Sequence, residues 1–446
     1  MSEKFVAYLP NDVPPLGQLI ILGFQHVLTM FPATVFVALF TGFHVGTVLL
    51  AAGISTITAL TLSRRGIGKF IPLFYGSSFS YIAAYLPITN ATFGQPASDE
   101  MISTMQAGIV VTGVLNVVAG LIIRAVGKNV LDRILPPVVT GSVAAVIGFG
   151  LGFAALNQAS SNWGVALVTL FVTVGFSVYL RGRGFIGMLP ILYGAVAGYA
   201  VSASLGQVDF TPLQTAALFA MPSITLPSFS GPLAGTAVFS IAVMAIATIP
   251  ESTAHLYQIS LYVDRTAAQL GRERYQLDRH AGFNLILDGI GDFLCGLIGG
   301  TAGTNYGENN SLMAITRNYS GPALLAAGVI SVLLGFVGIL AAALQTVPLA
   351  VSGGLAIYLF GVVGMQGVAL MIENKVDLFD ARELAIGATI FIVGVGGNIG
   401  FPNGFLPISI LPRIFPNGLP AIATSAVLGI LMNALFLIFR PPSAKT

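Results

Sequence analysis

The sequence predicts an all-α, polytopic membrane protein, and three observations carry that expectation: 55% of its 446 residues are hydrophobic, only 8% are charged, and apolar runs alternate with short polar loops throughout. Its mean hydropathy of +0.88 belongs to the same picture. Runs of about 20 apolar residues are long enough to cross a bilayer as helices, and in hydrocarbon every backbone N–H and C=O must be paired internally. The 53 glycines and 24 prolines fit such a bundle, because membrane helices use both for close approach and for breaks. A net charge of +2 offers no basic field for nucleic acid, and the single cysteine, Cys295, cannot form an internal disulfide and is expected to pack as a small apolar side chain. Residues 1–15 carry Lys4 but no apolar segment followed by a cleavage site, so the first span is expected to serve as its own insertion signal.

With about 20 residues per span, the chain divides into about fourteen segments, near 16–40, 44–63, 70–88, 105–127, 133–156, 163–181, 185–204, 233–262, 283–300, 303–317, 321–345, 348–372, 382–410 and 416–439. Charge tests the division. With the N-terminus inside, every lysine and arginine from Lys4 through Lys128 and Arg181 to Arg440 and Lys445 falls on the cytoplasmic side or at that end of a helix, with one exception. Of the 19 basic residues only Arg413 lands outside, the asymmetry that the positive-inside rule demands. Both termini are therefore expected in the cytoplasm. The longest external loops, near 90–100 and 206–230, contain no lysine or arginine.

The segment PPVVTGSVAAVIGFGLG at 136–152 aligns with PLAVSGGLAIYLFGVVG at 348–364, matching Pro136 with Pro348, Gly141 with Gly353 and Gly152 with Gly364. These are the fifth and twelfth spans, seven apart. Transporters are commonly built from two related halves, and halves of seven spans, an odd number, require the second to be inverted relative to the first. Chance similarity between glycine-rich helices is the competing explanation.

The same symmetry pairs the third span with the tenth, and both are interrupted by small polar residues, YGSSFSY at 75–81 and TAGTNYGENN at 301–310. Corresponding breaks in two halves point to a binding site near the bilayer midplane. An unwound stretch exposes backbone groups that can hydrogen-bond a flat polar ligand, and the half-helix N-terminus that follows adds donors and partial positive charge. Glycine kinks that merely ease helix packing are the plainer alternative. Glu308 at the second break and Glu251 in the eighth span argue for a site, because an intramembrane carboxylate costs about 2.5–3.5 kcal/mol and persists mainly beside a cavity, a partner or a proton.

Glu251 and His255 lie at i and i+4, sharing a helix face, where they can share or pass a proton. An isolated histidine would more simply be a packing contact. The run TIPESTAH at 248–255 surrounds the acid with Pro250, Ser252 and Thr253, so a break with hydroxyls to satisfy freed carbonyls is expected there. Asp288 and Asp292, near the start of the ninth span, either line a cytoplasmic proton path or serve as an interfacial cap or arginine contact. Gln25 and His26 suggest structural hydrogen bonding; His44 and His280 read as loop residues, Trp163 as an interface anchor. The sequence holds no metal-ligand cluster, phosphate loop or nucleophile–base arrangement, which weighs against an intramembrane enzyme.

The stretch ENNSLMAITR at 308–317 resembles the signature of the nucleobase/ascorbate transporter family, in which an acid or glutamine is followed by asparagine, glycine, threonine and a basic residue at fixed spacing. TNYGEN at 304–309, AITR and YS within 314–320, GSSF at 76–79, Gln25-His26, and Glu251 with His255 resemble its bacterial uracil-transporting branch over essentially the whole chain. Ser311 stands where the signature usually has glycine, which bears on local packing and fine substrate preference. The resemblance implies two inverted seven-span repeats divided into a core domain (16–127 and 233–345) and a gate domain (128–204 and 346–440). An external loop (205–232) joins them, and the termini, 1–15 and 441–446, are cytoplasmic. It further implies a homodimer in the bacterial cytoplasmic (inner) membrane, importing a nucleobase with a proton by alternating access, with no cofactor or metal.

Carried over by motif, Glu251 and Glu308 would hydrogen-bond the base, Phe79 pack on its ring, Gly307 offer its backbone N–H, Ala33 make a further contact and Tyr306 line the break. His255 would buttress the proton-linked Glu251. The chemistry agrees: a carboxylate accepts from the N–H groups on a uracil edge and backbone amides donate to its carbonyls, while a wrong ring leaves buried groups unpaired at about 1–3 kcal/mol each. Glutamate at 308 resembles the uracil branch more than the xanthine branch. A xanthine or purine permease is the main alternative, and an anion transporter of similar fold is disfavoured by two acids at the breaks.

Overall fold

The computed structural model describes residues 7–127, 133, 135–180 and 183–439; Lys4, Lys128, Arg181, Arg440, Lys445 and the segments 1–6 and 440–446 lie outside the described residues. Among the described residues the helices follow one another in two runs of seven units. The first run is α1 (Leu16–Thr41), α2 (Val45–Ile67), a unit broken into β1 (Tyr75–Ser77) and α3 (Ile82–Thr89), α4 (Asp99–Val126), α5 (Pro137–Gly150) with α6 (Gly152–Ala159), α7 (Trp163–Tyr179) and α8 (Pro190–Ser204). A loop with the short α9 (Thr211–Thr215) leads to the second run: α10 (Ala234–Val243) with α11 (Ala245–Gln269), α12 (Ala281–Ile298), β2 (Gly303–Asn305) with α13 (Gly307–Thr316), α14 (Gly321–Leu334) with α15 (Gly338–Gln345), α16 (Leu349–Glu373), α17 (Ala381–Phe391) with α18 (Gly397–Gly400), and α19 (Ala421–Ile438). A short pair, β3 (Phe405–Leu406) and β4 (Leu419–Pro420), closes the loop before α19.

Helical units and full crossings are different counts. Among the described residues nine helical segments are long and apolar enough to cross a membrane, or ten if α14 and α15, bent by 77°, form one span. The helices α3 and α13, with 8 and 10 residues, reach only about 12 and 15 Å at 1.5 Å per residue, roughly half a bilayer core. Each continues through an extended stretch instead.

The internal repeat is visible in the backbone. Pro136 and Pro348 both stand at the N-cap of their helices, with φ/ψ of −64°/158° and −65°/149°, the extended conformation from which a helix can start. The repeat-related α5 and α16 pack against each other, and their backbones touch at Gly148 and Gly364. A second close approach joins α4 to α12, where a Cβ on Gly113 would lie 2.6 Å from the Gly289 carbonyl oxygen. Small residues at such seams let helices approach until dispersion between backbones holds them together.

Packing sorts the helices. α1, α2, α4, α10, α12 and α14 pack among themselves, while α16 collects α5, α6, α7 and α8, and α17 packs on α19 and α5. Phe36 and Phe40 of α1 bridge the groups by meeting Phe360 of α16, with ring centroids 6.1 and 5.2 Å apart. The loop near 206–230 is strapped to the first group: Gln106 Nε2 donates to the Thr225 carbonyl at 2.7 Å, and Thr47 Oγ1 to that of Ser223 at 2.7 Å.

One local expectation is corrected. The helix is continuous through Pro250, and the break falls upstream at Met244, between α10 and α11. A proline ring disturbs the turn before it rather than its own position, which moves the discontinuity toward the N-terminus.

Candidate functional site

The two interrupted units meet. β1 and β2 pair antiparallel, Tyr75 opposite Asn305, Gly76 opposite Thr304 and Ser77 opposite Gly303, so the exposed backbone of each break satisfies the other. The pairing is extended by Tyr306 N donating to the Phe74 carbonyl at 2.9 Å and Ser78 N to that of Ala302 at 3.2 Å. Tyr306 is buried, with its ring 6.3 Å from that of Phe74; its hydroxyl donates to the Ser77 carbonyl at 2.8 Å and lies 2.9 Å from Thr34 Oγ1. Ala33, next to Thr34 on α1, is likewise buried.

Gly307 opens α13, whose N-terminus has no side-chain cap, and Glu308, itself exposed, occupies its first turn. Across from it α11 presents Glu251, partly buried, and His255 one turn on. The His255 ring packs on Gly307, where an added Cβ would come within 2.8 Å of Nε2, and its Nδ1 lies 2.7 Å from the Asn305 carbonyl oxygen and 3.2 Å from Asn305 Oδ1. Hydrogen bonding thus ties His255 to β2. The carbonyl oxygen of His255 accepts from Asn310 Nδ2 at 3.0 Å, adding a second tie to α13.

Phe79 sits in the turn after β1, half-buried, with its ring 6.1 Å from that of Phe36. It stands where the two packing groups approach through Phe36 and Phe360. Glu251, His255, Tyr306, Gly307 and Glu308 therefore gather about one strand crossing, with Phe79 and Ala33 on the α1 side. Each side can do different chemistry: free N–H groups at the start of α13 donate, and the two carboxylates accept or carry a proton.

Other sequence candidates fall into place around this centre. His26 is buried and accepts from Asn309: its Nδ1 and carbonyl oxygen are each 3.1 Å from Asn309 Nδ2, tying α1 to α13. Asp288 and Asp292 are neither an interfacial cap nor an arginine contact; both are buried behind the crossing, and Asp292 accepts from Asn116 Nδ2 at 2.9 Å and Gly303 N at 2.7 Å. The approach of α4 and α12 at glycine pairs carries them inward. His44 lies 3.4 Å from Asp99 at the start of α2, Trp163 begins α7 largely exposed, and Cys295 is buried 3.3 Å from Ser55 Oγ.

Sequence reasoning missed the polar hub beneath the site. Ser252 Oγ accepts from Asn284 Nδ2 at 2.8 Å and from Asn305 Nδ2 at 3.0 Å, while Asn284 Oδ1 accepts from Tyr75 at 3.1 Å. An asparagine inside the apolar ninth span was the available signal. Among the described residues no group of histidine, cysteine and acidic side chains could hold a metal ion.

Residues 17–402 match the model of the Permease family, Xan_ur_permease. The chain is 34% identical over 447 residues to the uracil permease of Bacillus caldolyticus, covering 98% of this chain and 95% of that protein. It is 35% identical over 404 residues to the uracil permease of Escherichia coli (strain K12), covering 87% and 88%. Among solved structures, the transmembrane domain of a cyanobacterium bicarbonate transporter, BicA, superposes with a TM-score of 0.61 at 16% identity, covering 88% of this chain and 98% of that one. That likeness shows a shared transporter fold and nothing of substrate.

Proposed function

Since the chain belongs to the Permease family, the nucleobase transporters that its motifs resemble, we propose that it imports uracil together with a proton. The observation that carries this reading is the meeting of β1 and β2, which sets two carboxylates, Glu251 and Glu308, about an uncapped half-helix N-terminus. A uracil edge presents N–H groups to carboxylates and carbonyl oxygens to N–H donors, and this arrangement offers both. The uracil permeases related to this chain support the choice of base.

In the proposed cycle Glu251 takes a proton from the outer side. Protonation removes an intramembrane charge, which lowers the cost of a closed, dehydrated site, and leaves Glu308 and Gly307 N–H to orient the base. Phe79 packs on the ring, Ala33 and Tyr306 shape its other walls, and His255, held by Asn305, fixes the environment of Glu251. The helices around α1 and α12 then act as the core that moves against a gate around α5 and α16, releasing base and proton inside. The working form is a homodimer in the bacterial inner membrane with both termini cytoplasmic.

Uptake of radiolabelled uracil into proteoliposomes, with and without an inward proton gradient, tests this. Gradient-driven accumulation that unlabelled uracil and thymine block, and xanthine and uric acid do not, is the expected result. Accumulation of labelled xanthine without uracil uptake would move the substrate to purines; transport of neither base would overturn the reading.

A further inference from the structure

Behind the strand crossing, Asp288 and Asp292 stand one turn apart on α12, 4% and 2% exposed. Asp292 is fully engaged, each oxygen accepting an N–H, from Asn116 and from Gly303, and such donors favour a carboxylate. Asp288 is different. The Ser252 hydroxyl lies within its hydrogen-bonding reach, but Oδ1 has no partner. It lines a narrow cavity with Asp292, Ser55, Tyr75, Ser77 and Thr304, and Thr304 Oγ1, on a side chain 2% exposed, is unpartnered as well.

Among the described residues, the charged and titratable groups that face Asp288 or line its cavity are Asp292 and Cys295 on its own helix, Glu251 from α11, and Tyr75 and Tyr81 from β1 and the turn after it. No lysine, arginine or histidine is among them. Two carboxylates a turn apart in a low-dielectric interior, without a cation between them, do not both stay ionised. Asp292 has the donors that stabilise charge; Asp288 has an unpartnered oxygen in the cavity that the unpartnered Thr304 hydroxyl also lines.

We propose that Asp288 is a second proton-binding site, distinct from Glu251, its carboxyl O–H directed into the cavity that Thr304 also lines. The site connects to the substrate side by a short chain. Ser252 Oγ accepts from Asn305 Nδ2 at 3.0 Å, and Asn305 Oδ1 lies 3.2 Å from His255 Nδ1. Through this chain the proton on Asp288 acts on the surroundings of Glu251. This role in transport rests on the proton-linked reading above, whereas the proton itself does not.

Infrared difference spectroscopy of the full chain in lipid, titrated with acid and base, reads protonated carboxyl groups directly. Asp288→Asn is expected to remove one carboxylic C=O band, Asp292→Asn to leave it, and Thr304→Val to shift it by making the wall of its cavity apolar. An unchanged band in Asp288→Asn, or its loss in Asp292→Asn instead, overturns the assignment. Should Asp288→Asn not fold, an unshifted band in Thr304→Val does the same. Disappearance of the band on adding sodium at fixed pH would replace the proton by a sodium ion. If the band behaves as expected in a protein that moves no uracil, the transport reading fails and the proton site stands.

Discussion

Gly307 and His255 touch with no space for another atom between them: a Cβ on the first residue of α13 would lie 2.8 Å from the imidazole Nε2 of α11. The ring cannot simply swing away, because its Nδ1 is held 2.7 Å from the Asn305 carbonyl oxygen. Glycine here joins the half-helix to α11, so Gly307→Ala is expected to push the ring off its partner. Uracil binding should weaken about tenfold, equivalent to ~1.4 kcal/mol, in a titration calorimeter. Wild-type affinity would show that the ring has slack.

Glu251→Gln removes the ionisable group while keeping its shape and hydrogen-bonding capacity. Uracil binding by the purified variant should remain measurable, while accumulation driven by a proton gradient should be abolished. A variant that still accumulates uracil, with the pH dependence of the wild type, would remove Glu251 from the coupling step.

Tyr306→Phe deletes the hydroxyl that bonds the Ser77 carbonyl and Thr34. Leaving a buried carbonyl without its donor costs about 1–3 kcal/mol, and it does so at the strand crossing itself. The expected result is a lower melting temperature together with reduced uptake; a melt matching wild type would mean that another donor reaches Ser77.

The seam between α4 and α12 should be intolerant of side chains. A Cβ on Gly289 would meet the Gly113 backbone, which cannot rotate aside, so Gly289→Val is expected to destabilise by about 1–3 kcal/mol or more. Gly175 on α7, where a Cβ would meet nothing within 4 Å, is the control, and Gly175→Ala should melt like wild type.

Asp380 caps α17, accepting from Arg382 N at 3.0 Å and Glu383 N at 3.2 Å. The Glu383 backbone N–H, with the Arg382 side chain, holds its carboxyl below the usual range. A depressed value in the folded protein means that the cap contributes above the ordinary carboxylate range and is lost as pH falls through the folded value. Asp380→Ala should therefore lower the melting temperature at neutral pH, with the difference from wild type shrinking in acid; a difference independent of pH would assign the effect to something other than ionisation.

Much of this molecule could be read from composition and spacing, because the constraints involved are local. A low-polarity solvent forces backbone pairing within each segment, so hydropathy alone places the apolar helices, and the breaks at 75–81 and 301–310 announce themselves as polar residues where lipid would not accept them. The match of Pro136 with Pro348 likewise predicted two helices with equivalent starts, and their N-cap dihedrals are nearly the same.

What sequence could not supply was the partner of each polar group. Periodicity put Glu251 and His255 on one face, but only the fold showed that His255 bonds Asn305, that the two breaks pair as β1 with β2, and that Asp288 and Asp292 lie behind them. Such groups are far apart along the chain, and the energy that joins them comes from desolvation inside the packed bundle. Burial makes an unmatched N–H or carboxylate expensive, so the choice among partners is made when helices approach at their glycine seams. Sequence by itself determined an apolar helical chain with two interrupted segments and two intramembrane acids, Glu308 in the second break and Glu251 in another span; tertiary structure decided which of those polar atoms would meet.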